Sequence, residues 1–189
     1  MMRRSLRFLL PWLLVGCAAQ PGPQYYALTL PSEPVVSSPA RQGPLLQVQS
    51  LTLPDYLAQA GIAFQQDDIQ LTLANQARWA EPLDRQLGAL LLAKLEQDLP
   101  QVQLQGPQES GQQWRLNLFV DAFQGRFDGQ AVIAGRWVLQ GPQGERHSGR
   151  FNQLEPLSED GYPALVRALQ KGWLQQAHAL AGQLQPLLH

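Results

Sequence analysis

The stretch WRLNLFVDAFQGRFDGQAVIAGRWVLQGPQGERHSGRFNQL, residues 114–154, decides how this chain is built. In its first part Trp114, Leu116, Leu118, Val120 and Ala122 alternate with Arg115, Asn117, Phe119, Asp121 and Phe123. Such period-two alternation belongs to a strand with one buried face. Asp128-Gly129 is a strong hairpin signal, because both residue types tolerate positive φ. Ala131, Ile133, Gly135, Trp137 and Leu139 form the alternating set of a returning strand. Gly141-Pro142-Gln143-Gly144 turns the chain again, and residues 145–154 make a more polar third strand, suited to a sheet edge.

Outward from this meander, each side shows a helix. Over residues 82–99, Leu83, Leu87, Leu90, Leu91 and Leu95 recur on one helical face. Pro82 suits a first turn, and Pro100 stops the helix. Over 159–187, Tyr162, Leu165, Val166, Leu169, Trp173, Ala177, Leu180 and Leu184 form a longer stripe, with Ser158 as its expected N-cap. Toward the N-terminus, residues 25–30 and 45–53 read as strands. Residues 31–44, with four prolines, read as a loop. Residues 62–66 and 69–73 flank Asp67-Asp68 as a hairpin. Strands, helix, strands, helix is the order of an α+β fold, expected here as an antiparallel sheet with two main helices packed on one face.

The first 17 residues, MMRRSLRFLLPWLLVGC, carry a different message. Arginines come first, then an apolar run, then a small residue, which is the order of an export signal. The run is far shorter than the roughly 20 residues that span a bilayer as a helix. Leu14-Val15-Gly16-Cys17 is similar to the bacterial lipobox, in which the thiol is acylated and the leader is cut before it. The expected organisation is a lipoprotein signal peptide over 1–16, a lipidated tether over 17–24 and one α+β domain over 25–189. Cys17 is the one cysteine in the chain, so no intrachain disulfide or cysteine-rich zinc site can form. Without Arg3, Arg4 and Arg7 of the leader, 11 basic side chains face 15 acidic ones. That balance argues against nucleic acid, which needs a basic stripe.

No pattern of catalytic or metal-binding residues emerges. His147, His178 and His189 are scattered over a strand, a helix and the last position, and read as solvated surface side chains. Asp67 and Asp68 point to opposite faces of a strand, which disfavours joint acid–base work and favours a turn. The expected catalytic set is therefore empty, as is the metal set. Arg78-Trp79-Ala80-Glu81-Pro82-Leu83 stands apart, mixing a large aromatic, two opposite charges and a helix start. Trp79 can simply staple the helix to the sheet. Alternatively the corner meets a partner, since Trp and Arg are common interface anchors.

Taken in order, Leu14–Cys17, Tyr25-Tyr26-Ala27-Leu28, Val48-Gln49-Ser50-Leu51-Thr52-Leu53-Pro54-Asp55-Tyr56-Leu57 and Arg78–Leu83 resemble the PqiC (YmbA) family of ABC-type transport auxiliary lipoproteins. The resemblance spans most of the mature chain. Where the family often places a basic residue after the Tyr-Leu element, this chain has Ala58-Gln59-Ala60-Gly61-Ile62. The resemblance implies a non-enzymatic subunit of an MCE-type, Pqi-like intermembrane lipid transport system. It would dock a periplasm-spanning tunnel at the outer membrane and support membrane integrity. Its partner would be an MCE-domain (PqiB-like) membrane protein, and a homo-oligomeric ring would suit a tubular partner. Asp55, Tyr56, Leu57, Arg78, Trp79 and Glu81 are the expected partner-binding residues. No cofactor is expected beyond diacylglycerol and an N-acyl chain on Cys17, and by resemblance to lipoprotein families in which an Asp after the cysteine retains the protein at the inner membrane, Ala18 implies the outer membrane. The competing readings are a lipid-binding module, with its pocket between sheet and helices, and an assembly lipoprotein of another envelope export machine.

Overall fold

The computed structural model describes residues 22–29, 43–104 and 113–188. The leader, Cys17, most of the proline-rich loop and His189 lie outside the described residues. The elements run β1 (Gln24–Tyr26), β2 (Leu45–Thr52), β3 (Gly61–Gln65), β4 (Leu71–Trp79), α1 (Leu83–Asp98), β5 (Gln103–Leu104), β6 (Gln113–Arg126), β7 (Gln130–Gln140), β8 (Arg146–Pro156) and α2 (Tyr162–Leu184). The class is α+β. No helix among the described residues is long and apolar enough to cross a membrane.

Strand β6 is the spine of the sheet. One of its edges carries β7, which carries β8, and both pairings are antiparallel. The opposite edge is shared by two strands. β2 pairs with the first half of β6, and β3 pairs with its last residues at Phe64–Gly125 and Gln65–Arg126. β5 adds to β2, and β4 then β1 add to β3. The expected all-antiparallel sheet is thus corrected to a mixed one. Among the described strands four of the seven pairings, β1–β4, β2–β5, β2–β6 and β3–β6, are parallel. The reason is connectivity. Alternation reports which face a strand buries, not its direction. An antiparallel sheet would need a reversal at Pro54, yet β3 runs along β6 in the same sense as β2. Helix α1 then crosses over before β6, as a parallel pairing requires.

The meander itself forms as expected, apart from a phase slip. Trp114, Leu116, Leu118 and Val120 are buried, but the next buried side chain is Phe123, and Ala122 is only partly buried. A bulge between Val120 and Ala122 inserts Asp121 and shifts the inward set by one. Strand β4 is longer than expected and runs to Trp79 before α1 begins at Leu83. The Leu83–Leu95 stripe is buried. The N-cap of α2 is Gly161, at φ 107°, and not Ser158. Pro163, pre-set for a first turn, moves the helix start past the serine.

Both helices lie against the sheet and against each other, and one apolar core joins all three. Trp173 is its centre. The indole meets Phe123 and Phe151 edge-on at 6.2 Å, and its Nε1 donates to the Leu87 carbonyl of α1 at 3.0 Å.

Candidate functional site

The segment after β2 is a tight turn, with Leu57 N–H donating to the Pro54 carbonyl at 2.9 Å. Leu57 is buried in the core, while Asp55 stays exposed. Tyr56 is half-buried. Its hydroxyl sits 2.8 Å from Gln124 Oε1 and 3.1 Å from the Asp121 carbonyl, so it ties the turn to the bulge of β6. Burial pushes the Tyr56 phenol up from its ordinary pKa, and the nearby Asp121 charge adds to this. The phenol therefore stays a neutral donor.

The second segment meets the first at the end of this turn. Trp79 N–H donates to the Ala60 carbonyl at 2.7 Å, and Arg78 lies opposite Gly61. β1 joins from the other side, with Tyr25 beside Arg78 and Ala80 N–H donating to the Tyr26 carbonyl at 2.8 Å. Gln86 of α1 closes the corner. Its Oε1 accepts from Leu28 N–H at 2.7 Å and its Nε2 donates to the Glu81 carbonyl at 2.8 Å. Three stretches far apart in sequence therefore form one corner.

Within that corner the six residues divide sharply. Trp79 is 5% exposed and packs 6.1 Å from Phe123, as a staple between α1 and the sheet. Leu57 is likewise internal. Asp55 and Glu81 are exposed, and Arg78, partly exposed, has its Nε on the Asn75 carbonyl at 3.0 Å. Tyr25, 64% exposed beside Arg78, belongs to the same surface and was not singled out from sequence. The available signal was Tyr25-Tyr26 on a strand, where neighbours face opposite ways. Tyr26 turns inward, 6.5 Å from Tyr162.

No described group of three His, Cys, Asp or Glu is arranged to hold a metal. His147 rests 6.4 Å from the Trp114 ring, and His178 Nδ1 lies 2.8 Å from Asp98 Oδ2. For Asp98, burial opposes ionisation, but hydrogen bonds and charge from Lys94 and His178 outweigh it and hold the carboxyl below its usual range. Between sheet and helices, the cavity lined by Leu91, Leu118, Trp137, Phe151 and Leu180 measures about 20 Å³. That is room for about one water, since a site needs roughly 10–15 Å³ to hold one. An acyl chain does not fit there.

The family model described as the ABC-type transport auxiliary lipoprotein component matches residues 26–181. The chain is 33% identical over 175 residues to the intermembrane transport lipoprotein PqiC of Escherichia coli K12, covering 92% of this chain and 93% of that protein. A crystal structure of an uncharacterized protein is 34% identical, with a TM-score of 0.75, over 87% of this chain and 99% of that one. A crystal structure from Xanthomonas campestris shares the fold at 19% identity and a TM-score of 0.68, again over 87% of this chain and 99% of that one.

Proposed function

The chain belongs to the ABC-type transport auxiliary lipoprotein family, and from that premise we propose that it is a non-catalytic envelope lipoprotein of an intermembrane lipid transport system. Its body is held at the outer membrane by acyl chains on Cys17. It docks the end of a periplasm-spanning MCE-type tunnel, and copies close into a ring around that tunnel. The observation that supports this most is the extent of the match. Residues 26–181 include both the Pro54 turn and the Arg78 corner, and the relative covered almost end to end is named as an intermembrane transport lipoprotein. The corner supplies a fitting contact surface, with Tyr25 beside Arg78 and with Asp55 and Glu81 exposed on the segments that meet there, on a backbone fixed by Trp79 and Gln86. The water-sized cavity between sheet and helices does not support a lipid pocket at that place.

Affinity purification of the full chain from envelope membranes in mild detergent tests this reading. An MCE-domain protein should co-purify, and the pair Asp55→Arg and Glu81→Arg should weaken its recovery without unfolding the body. Recovery of another export machine's subunits, or of no MCE protein, would contradict it.

A further inference from the structure

One end of the molecule is defined by a register row that crosses the sheet. Leu71, Gln65, Arg126, Gln130 and Pro156 stand side by side on β4, β3, β6, β7 and β8. Two hairpins project beyond this row, residues 66–70 and 127–129. Their tips carry apolar side chains in water, with Ile69 89% and Phe127 57% exposed, and Leu71 at the base is 37% exposed. The first tip is held in shape by Asp67, whose Oδ1 accepts from Ile69 N–H at 2.9 Å and Gln70 N–H at 2.6 Å. The second is braced by the Arg126–Asp128 ion pair. Behind the tips a cleft of about 290 Å³, lined by Phe64, Phe127, Leu157, Tyr162 and Leu165, opens at the same end. Two large aliphatic or aromatic side chains displayed at adjacent hairpin tips are a costly thing to leave in water.

The N-terminal connection indicates what covers them. β1 runs parallel to β4, whose first residue Leu71 lies in the end row, so the chain enters β1 at Gln24 from the side of the tips. Gln24 sits beside Ala77, and Arg78 faces Gly61, four strand residues from Gln65, which is about 13 Å. Cys17 is seven residues before Gln24, and that length reaches at most about 25 Å. The opposite end, at Gln140, lies ten strand residues beyond Gln130, about 33 Å from the row and so roughly 20 Å from the level of Gln24; the direction in which the chain enters β1, and not the tether's length, points Cys17 to the tips.

We propose that the hairpin-tip end, with Ile69 and Phe127, rests in the headgroup–acyl boundary of the same bilayer that carries the Cys17 anchor. This rests on acylation of Cys17, as read above. The body is then oriented and not merely leashed, and the 141–144 turn points into the periplasm. Asp67 and Asp68 in the first hairpin and Asp160 at the cleft lie at this end, so a zwitterionic headgroup bearing an ammonium suits it better than an anionic one.

The full acylated chain can report this directly. Acylation consumes the single native thiol, so Ile69→Cys, Phe127→Cys and Gln143→Cys each offer one site for an environment-sensitive fluorophore. Each labelled protein is reconstituted into vesicles of phosphatidylethanolamine with a minority of phosphatidylglycerol, with and without brominated acyl chains. Labels at 69 and 127 should lose roughly half their emission to the bromines, given that interfacial apolar groups sit about 5–10 Å into the headgroup–acyl boundary. The label at 143 should be unaffected. Equal or stronger quenching at 143, or no quenching at the tips of protein that floats with the vesicles, overturns the orientation and leaves the anchor standing. Tip labels shielded from water only at high protein density, without bromine quenching, assign the tips to a second copy and also overturn it. Protein that does not float overturns the anchor, and this inference with it.

Discussion

Gln86 is a buried polar side chain on an otherwise apolar helix face, and both ends of its amide are used. Gln86→Leu keeps the volume but leaves Leu28 N–H and the Glu81 carbonyl without their partners. The expected cost is about 2 kcal/mol, the penalty of unmet buried groups. Urea unfolding should show a lower midpoint at an unchanged slope. Glu155 makes a second residue-scale test. The hydrogen bond from Lys171, at 2.7 Å, holds its carboxyl below the usual range against the opposing effect of burial, with Gln153 assisting. A carboxyl with a depressed folded-state pKa stabilises the fold above its unfolded pKa, and that contribution is lost as pH falls through the folded value. Lys171 is itself 63% exposed, so water screens the pair. Lys171→Met should therefore cost no more than about 1 kcal/mol at neutral pH. Chemical denaturation across pH should show the gap between wild type and variant closing on acidification below the ordinary glutamate range. A gap that widens there would contradict the assignment.

At the scale of elements, the sheet depends on turns that return the chain at fixed places. Gly129 stands at φ 77° with open space around its missing Cβ, so Gly129→Ala isolates the backbone penalty. About 1–2 kcal/mol should be lost, read as a drop in melting temperature. Asp128-Gly129 was legible because it needs only local chemistry, as was the leucine stripe of α1. Strand direction was not legible, because β2 and β3 owe their parallel pairing to partners far along the chain. The Asp121 bulge was hidden for the same reason. Nothing between Val120 and Ala122 marks an extra residue until Tyr56 arrives from elsewhere to satisfy its carbonyl. The candidate site was partly legible. The two segments stood out in sequence, but their meeting at Ala60 and Trp79, the inward turn of Trp79 and the exposure of Tyr25 are set by the fold.

For the whole molecule, one core links the sheet to both helices, and the polar corner and apolar hairpin tips are displayed on its outside. In the proposed function such a body would be a rigid spacer between a lipid surface and a partner, acting through its surfaces. The premise beneath that role is covalent, because without acyl chains the corner and the tips have no reason to be near a bilayer. The most direct test is the intact mass of the protein isolated from the envelope of its own cells. A chain beginning at Cys17 and carrying diacylglycerol and an N-acyl group is expected. A chain that keeps residues 1–16 and a free thiol at Cys17 would contradict that premise.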